Sequence, residues 1–143
     1  MSGFDTVGPF HESRSMFADG LVNLYTRDIE AGPHCYKDLL GLHETFRTPA
    51  EGVPEHVEFR VGGFTLGLGT VEAARRVHGA EPEPGASAMS LVLWTDDVDK
   101  TFEALVHAGV PAVQPPHGSG NNNRNTLIRD PDGNLVELVS KVS

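Results

Sequence analysis

An internal repeat restricts the fold more than any other feature of the chain. "LVNLYTRDIE" (21–30) and "SLVLWTDDVD" (90–99) align at an offset of 69 residues. Leu24, Thr26 and Asp28 recur as Leu93, Thr95 and Asp97, and Tyr25 is matched by Trp94 as an aromatic. Each copy is an apolar, β-rich run that breaks at an acidic position and enters a helical pattern, so one folding unit is used twice. Asp28 and Asp97 suit helix N-termini, where a carboxylate accepts from free amides and opposes the helix dipole. The segments behind them, about 29–40 and 98–108, stop at Gly41 and Gly109. In the second, Val98, Phe102, Leu105 and Val106 form one apolar stripe. The first contains Gly32 and Pro33, so it starts late, with Pro33 in its first turn.

Short strands follow each helix, at roughly 43–48, 56–61 and 64–69, and again at 112–114, 125–129 and 134–140. Gly62-Gly63 and Pro131-Asp132-Gly133 supply turns. The proline- and glycine-rich stretch "HGAEPEPGASA" (78–88) reads as a linker. The pattern predicts a polar extension at 1–19 and one α+β domain over 20–141. That domain comprises two βαβββ modules, about 20–77 and 89–141, with helices on one face of mixed sheets.

The formal charge of −9 argues against a nucleic-acid partner, and no Lys/Arg cluster offsets it. No apolar stretch is long enough to span a bilayer, and the first twenty residues lack the apolar run of a signal peptide. The single cysteine, Cys35, cannot form an intramolecular disulfide, which suits a reducing, cytoplasmic setting.

The tandem repeat, "YTRDIEAGPHCYKDLLGL" and above all "RDPDGNLVELVS" resemble the vicinal oxygen chelate superfamily. It includes glyoxalase I, methylmalonyl-CoA epimerase, extradiol dioxygenases, fosfomycin-resistance enzymes and bleomycin-resistance proteins. The resemblance covers about residues 20–141. It implies sheets curled into an open cup, with helices outside and ligand inside, and a homodimer with pockets near the subunit junction. Enzymes of the superfamily hold a divalent metal with side chains from the first and last strands of each module. Carried onto this chain, those positions are Leu21, Gly67, Ser90 and Glu137. One carboxylate survives, whereas a catalytic metal takes about three protein ligands. The neighbours of Leu21 and Ser90 are Gly20, Val22, Met89 and Leu91, so a one-residue shift restores no donor. The resemblance therefore points to the metal-free, bleomycin-resistance-like members, with no cofactor and no catalytic residue assigned.

Strand alternation puts Leu21, Asn23 and Tyr25 on the inner face with Ser90, Val92, Trp94, Thr65, Gly67, Gly69 and Glu137. The glycines are expected to clear space, and the two aromatics to offer stacking surfaces between sparse polar anchors. Glu137 suits a cation placed against the rings, or an arginine such as Arg60 or Arg124. The stretch "HGSGNNNRN" (117–125) reads as a mobile loop from which Arg124 reaches over the mouth. The expected function is capture of a small aromatic or basic ligand, such as an antibiotic. The alternatives are a metal-dependent lyase, isomerase or dioxygenase, and a metal-free enzyme with Glu137 as base.

Overall fold

The computed structural model describes residues 16–86 and 88–142. Up to residue 15, the extension expected at 1–19 lies outside the described residues. The first module contains β1 (Val22–Thr26), β2 (His43–Thr48), β3 (His56–Val61) and β4 (Phe64–Thr70). The second contains β5 (Ser90–Trp94), β6 (Ala112–Gly120), β7 (Asn123–Arg129) and β8 (Leu135–Lys141). They form two four-stranded sheets of equivalent order, β1-β4-β3-β2 and β5-β8-β7-β6. In each, the first strand runs parallel to the last and the other pairings are antiparallel. The repeat in sequence is thus a repeat in topology.

Helix α1 begins as Ala31–Pro33 and widens into π-type turns over His34–Leu39. Asp28 opens it, its Oδ1 accepting from the amides of Glu30 and Ala31, both at 3.0 Å. Those bonds hold the Asp28 carboxyl below its usual range. Helix α3 (Val98–His107) repeats the device, with Asp97 Oδ1 accepting from Lys100 N at 3.1 Å. Between the modules lies helix α2, Val71–Ala73 continuing as Ala74–His78. Sequence analysis assigned no helix there, since eight residues beside a proline-rich linker show too little periodicity. Its ends were nevertheless marked: Thr70 Oγ1 accepts from Ala73 N at 3.1 Å, and Gly79 closes it at φ 66°.

The hairpin β6–β7 corrects the expected loop at 117–125. β6 continues through Gly120, and the turn is only Asn121-Asn122, at φ 53° and 58°. Two successive left-handed residues make a type I′ turn, whose twist matches that of the flanking strands, and asparagine tolerates it best after glycine.

Alternation then sorts the side chains. Val57, Phe59, Leu66 and Leu68 of the first module and Ile128, Val136 and Leu138 of the second are almost fully buried. They join Tyr36, Val98 and Leu105 of the helices in one continuous core. The opposite face of each sheet is open and carries Asn23, Tyr25 and Gly67 in the first module and Ser90, Val92, Trp94 and Glu137 in the second.

Candidate functional site

Strand register decides which groups meet. In the first module Asn23 pairs with Gly67 and Tyr25 with Gly69 across β1–β4. The two-residue turn at Gly62-Gly63 sets Glu58 opposite Gly67 and His56 opposite Gly69. Asn23, Tyr25, His56, Glu58, Gly67 and Gly69 therefore share a face. The glycines do not leave it empty. A β-carbon on Gly67 would meet Asn23 Oδ1 at 2.0 Å and His56 Cε1 at 2.9 Å. One on Gly69 would lie 3.6 Å from His56 Nδ1 and 3.9 Å from the Tyr25 ring. Gly67 is thus a seat for the Asn23 carboxamide and the imidazole, rather than free ligand space.

His56 donates from Nε2 to Glu58 Oε2 at 2.9 Å, and its ring lies 6.5 Å from that of Phe46. The sequence placed a strand at about 56–61 but assigned no role to His56 or Glu58. The signal was available, because the hairpin turn at Gly62-Gly63 fixes the register that brings both onto the glycine face. A cavity of about 350 Å³ opens beside them, bordered by Tyr25, His56, Gly69, Ala73, Val77 and His78.

In the second module Val92 pairs with Glu137, Ser90 with Leu135 and Trp94 with Val139. Glu137 Oε2 accepts from Asn125 Nδ2, and Asn125 Oδ1 accepts from the Ser119 hydroxyl. The stretch read as a mobile loop thus orients the carboxylate through two ordered strands. Among the described residues no Lys, Arg or His pairs with Glu137. Arg60 Nε donates instead to Gly62 O at 2.8 Å. Arg124 does not reach over the mouth: it alternates onto the helix side of β7, where Nε and Nη2 hold Asp99 of α3 at 2.7 and 3.0 Å. Each partner of that pair is stabilised in its charged form by the other.

Trp94 is 61% exposed, and the Lys141 ammonium lies 5.6 Å from its ring centroid. Tyr25 borders the cavity of about 350 Å³ and another of about 190 Å³ against Pro84, Met89 and Asn134, and neither touches Trp94 or Glu137. Tyr25 and Trp94 thus stand on separate sheets, each with its own open face. Ser90 and Val92 instead border a smaller apolar cavity, about 280 Å³, against Val22 and Leu24 of β1. Leu21, one residue before β1, is exposed.

The four positions that would supply metal ligands carry two aliphatic or absent side chains, one hydroxyl and one carboxylate. Among the described residues there is no group of three or more His, Cys, Asp or Glu side chains able to hold an ion. That donor set does not fit a divalent transition metal.

Residues 20–138 match the model of the Glyoxalase/Bleomycin resistance protein/Dioxygenase superfamily. The chain is 30% identical to the protein YraH of Bacillus subtilis over 122 residues, 82% of this chain and 93% of that one. It is 28% identical to virulence protein STM3117 of Salmonella typhimurium over 138 residues, 92% of this chain and 91% of that one. A solved lactoylglutathione lyase from Agrobacterium tumefaciens has the same fold, with a TM-score of 0.66 and 27% identity. That match covers 85% of this chain and 92% of the lyase.

Proposed function

This chain belongs to the Glyoxalase/Bleomycin resistance protein/Dioxygenase superfamily, and on that premise we propose that it captures a small aromatic, basic molecule without a metal and without transforming it. The carrying observation is Glu137: its carboxylate is oriented by Asn125 on an open face beside Val92 and Trp94, with no cationic side chain paired to it among the described residues. A ligand cation supplies that missing charge, and its ring covers the exposed indole. Lys141 over Trp94 illustrates the cation affinity of that ring. The overall charge of −9 favours the same ligand class at longer range.

A homodimer fits this reading. Trp94, Phe46, Leu21 and Val92 are between 45% and 61% exposed on the open faces, an apolar exposure that a second copy and a ligand would cover together. A cytoplasmic location fits the single, buried thiol.

Trp94 is the sole tryptophan, so its fluorescence reports on the second module alone. Titration with a panel of planar, basic antibiotics should quench it saturably, and Glu137→Gln should weaken the best ligand about tenfold or more. Metal analysis of protein purified without chelator provides the opposing outcome. Stoichiometric metal that disappears in Glu137→Ala would overturn the capture reading in favour of a lyase, isomerase or dioxygenase. Turnover lost in Glu137→Gln while affinity persists would point to a metal-free enzyme.

A further inference from the structure

The first module carries a feature that capture at Glu137 does not use: a histidine held by a carboxylate at the edge of a cavity. His56 and Glu58 are each 24% exposed at the side chain and joined at 2.9 Å through Nε2. A carboxylate only accepts, so the nitrogen facing it carries the proton, and in the neutral ring Nδ1 is left as an acceptor. Nδ1 makes no hydrogen bond to the described residues. It lies over Gly69, where a β-carbon would stand 3.6 Å from Nδ1 and 3.9 Å from the Tyr25 ring. The Phe46 ring stands tilted beside the imidazole, 6.5 Å between centroids, and Gly67 leaves room for His56 Cε1, which a β-carbon there would meet at 2.9 Å.

We propose that this cavity is a second ligand site, specific for a neutral single-ring hydroxyaromatic whose O–H donates to His56 Nδ1. The volume of about 350 Å³ suits one substituted ring. Ala73, Ala74 and Val77 give an apolar wall, and Tyr25 gives a ring edge or face. A cation finds little to pair with, since Glu58 is engaged by His56, and Glu55, at the rim, by Arg76 at 2.7 Å. An anion meets the lone pair of Nδ1 and an acidic protein. A neutral donor is the class that the Nδ1 lone pair favours, with His78 the other imidazole on the border.

This inference rests on the capture reading for why a ligand is held, but it is read on the other sheet. The experiment is a long-range ¹H–¹⁵N correlation of the histidine rings in the full ¹⁵N-labelled chain, titrated with 4-methylphenol and with 4-methylanisole, which lacks the donor. His56 should show a protonated Nε2 and a bare Nδ1. The Nδ1 signal should move saturably with 4-methylphenol, and the anisole should bind about tenfold more weakly. Gly69→Ala places a methyl at ordinary van der Waals distance, 3.6 Å from Nδ1, at a position without a left-handed backbone. It should abolish the titration while leaving the His56 tautomer unchanged. A protonated Nδ1, equal binding of the two probes, or unchanged affinity in Gly69→Ala would each overturn the proposal. Absence of Trp94 quenching by basic ligands is a separate result, bearing on capture at Glu137.

Discussion

The Tyr36 hydroxyl donates a 2.7 Å hydrogen bond to Asp130 Oδ2, tying the helix of the first module to the last turn of the second. The same carboxylate accepts from the amides of Asp132 and Asn134 through Oδ1, at 2.9 and 2.8 Å, and from Asn134 Nδ2 at 2.9 Å. A buried carboxylate is tolerated only when its lone pairs are filled in this way. Tyr36→Phe removes one donor and should cost about 1–3 kcal/mol. Asp130→Ala unmakes the whole turn and should cost more than that. Urea unfolding midpoints measure both, and a phenylalanine variant as stable as the parent would show the latch to be idle.

Burial, and then the charge of Asp130, pushes the Tyr36 phenol far above the usual tyrosine range. Burial, with a smaller contribution from Asp130, also lifts the Cys35 thiol to about 11. Both groups hold a proton in the folded chain that the unfolded chain gives up sooner. Their stabilising effect is therefore complete below the unfolded values, roughly 8.5 for cysteine and 10 for tyrosine, and is lost as pH rises beyond them. Stability should fall on the alkaline side, with Cys35 acting first. In Tyr36→Phe the decline above about pH 10 should be shallower. At pH 8 a thiol reagent should modify Cys35 at the rate of unfolding, not at the rate of a free thiol.

Topology, most strand positions and the face of Glu137 were legible because they depend on periodicity and on the repeat: Asp28 and Asp97 mark equivalent helix starts, and Glu137 emerges on the open face as alternation required. Besides helix α2 and the extension of β6 through Gly120, three relationships around the site were not legible. The role of Gly67 depends on what crosses from β1 and β3 to sit on it, which is a matter of packing across strands. Arg124 was read by the reach of its side chain, whereas strand parity sends it to Asp99 on the helix side. The separation of Tyr25 from Trp94 follows from two distinct sheets, and equivalence in a repeat places residues alike without placing them together.

Parity also makes Arg124 a sharp control. It lies on the opposite face of β7 from Asn125, so its ion pair with Asp99 faces away from Glu137. Arg124→Ala should leave the Trp94 quenching curve unchanged, while Asn125→Ala, which frees Glu137 Oε2, should weaken basic ligands several-fold. Isothermal titration of the two variants against the same ligand decides the point. A loss of affinity in Arg124→Ala would return this arginine to the ligand's surroundings.

Packing at the first helix leads to the last expectation. A β-carbon on Gly32 would stand 2.6 Å from Leu68 Cδ2, in a core where Leu68 is fully buried. Alanine is favoured over glycine by about 1 kcal/mol in a helix interior, so an exposed Gly→Ala change would stabilise. Here the overlap forces the leucine off its rotamer or the helix off the sheet, and overpacking of this kind costs about 1–3 kcal/mol. Gly32→Ala should therefore destabilise despite its better propensity. Shortening the neighbour tests the cause: Leu68→Ala alone leaves a cavity and costs about 2–5 kcal/mol, but the double variant should lose less than the two losses combined. Additive losses would mean that the methyl and the leucine do not meet, and that the close passage of α1 over β4 has another origin.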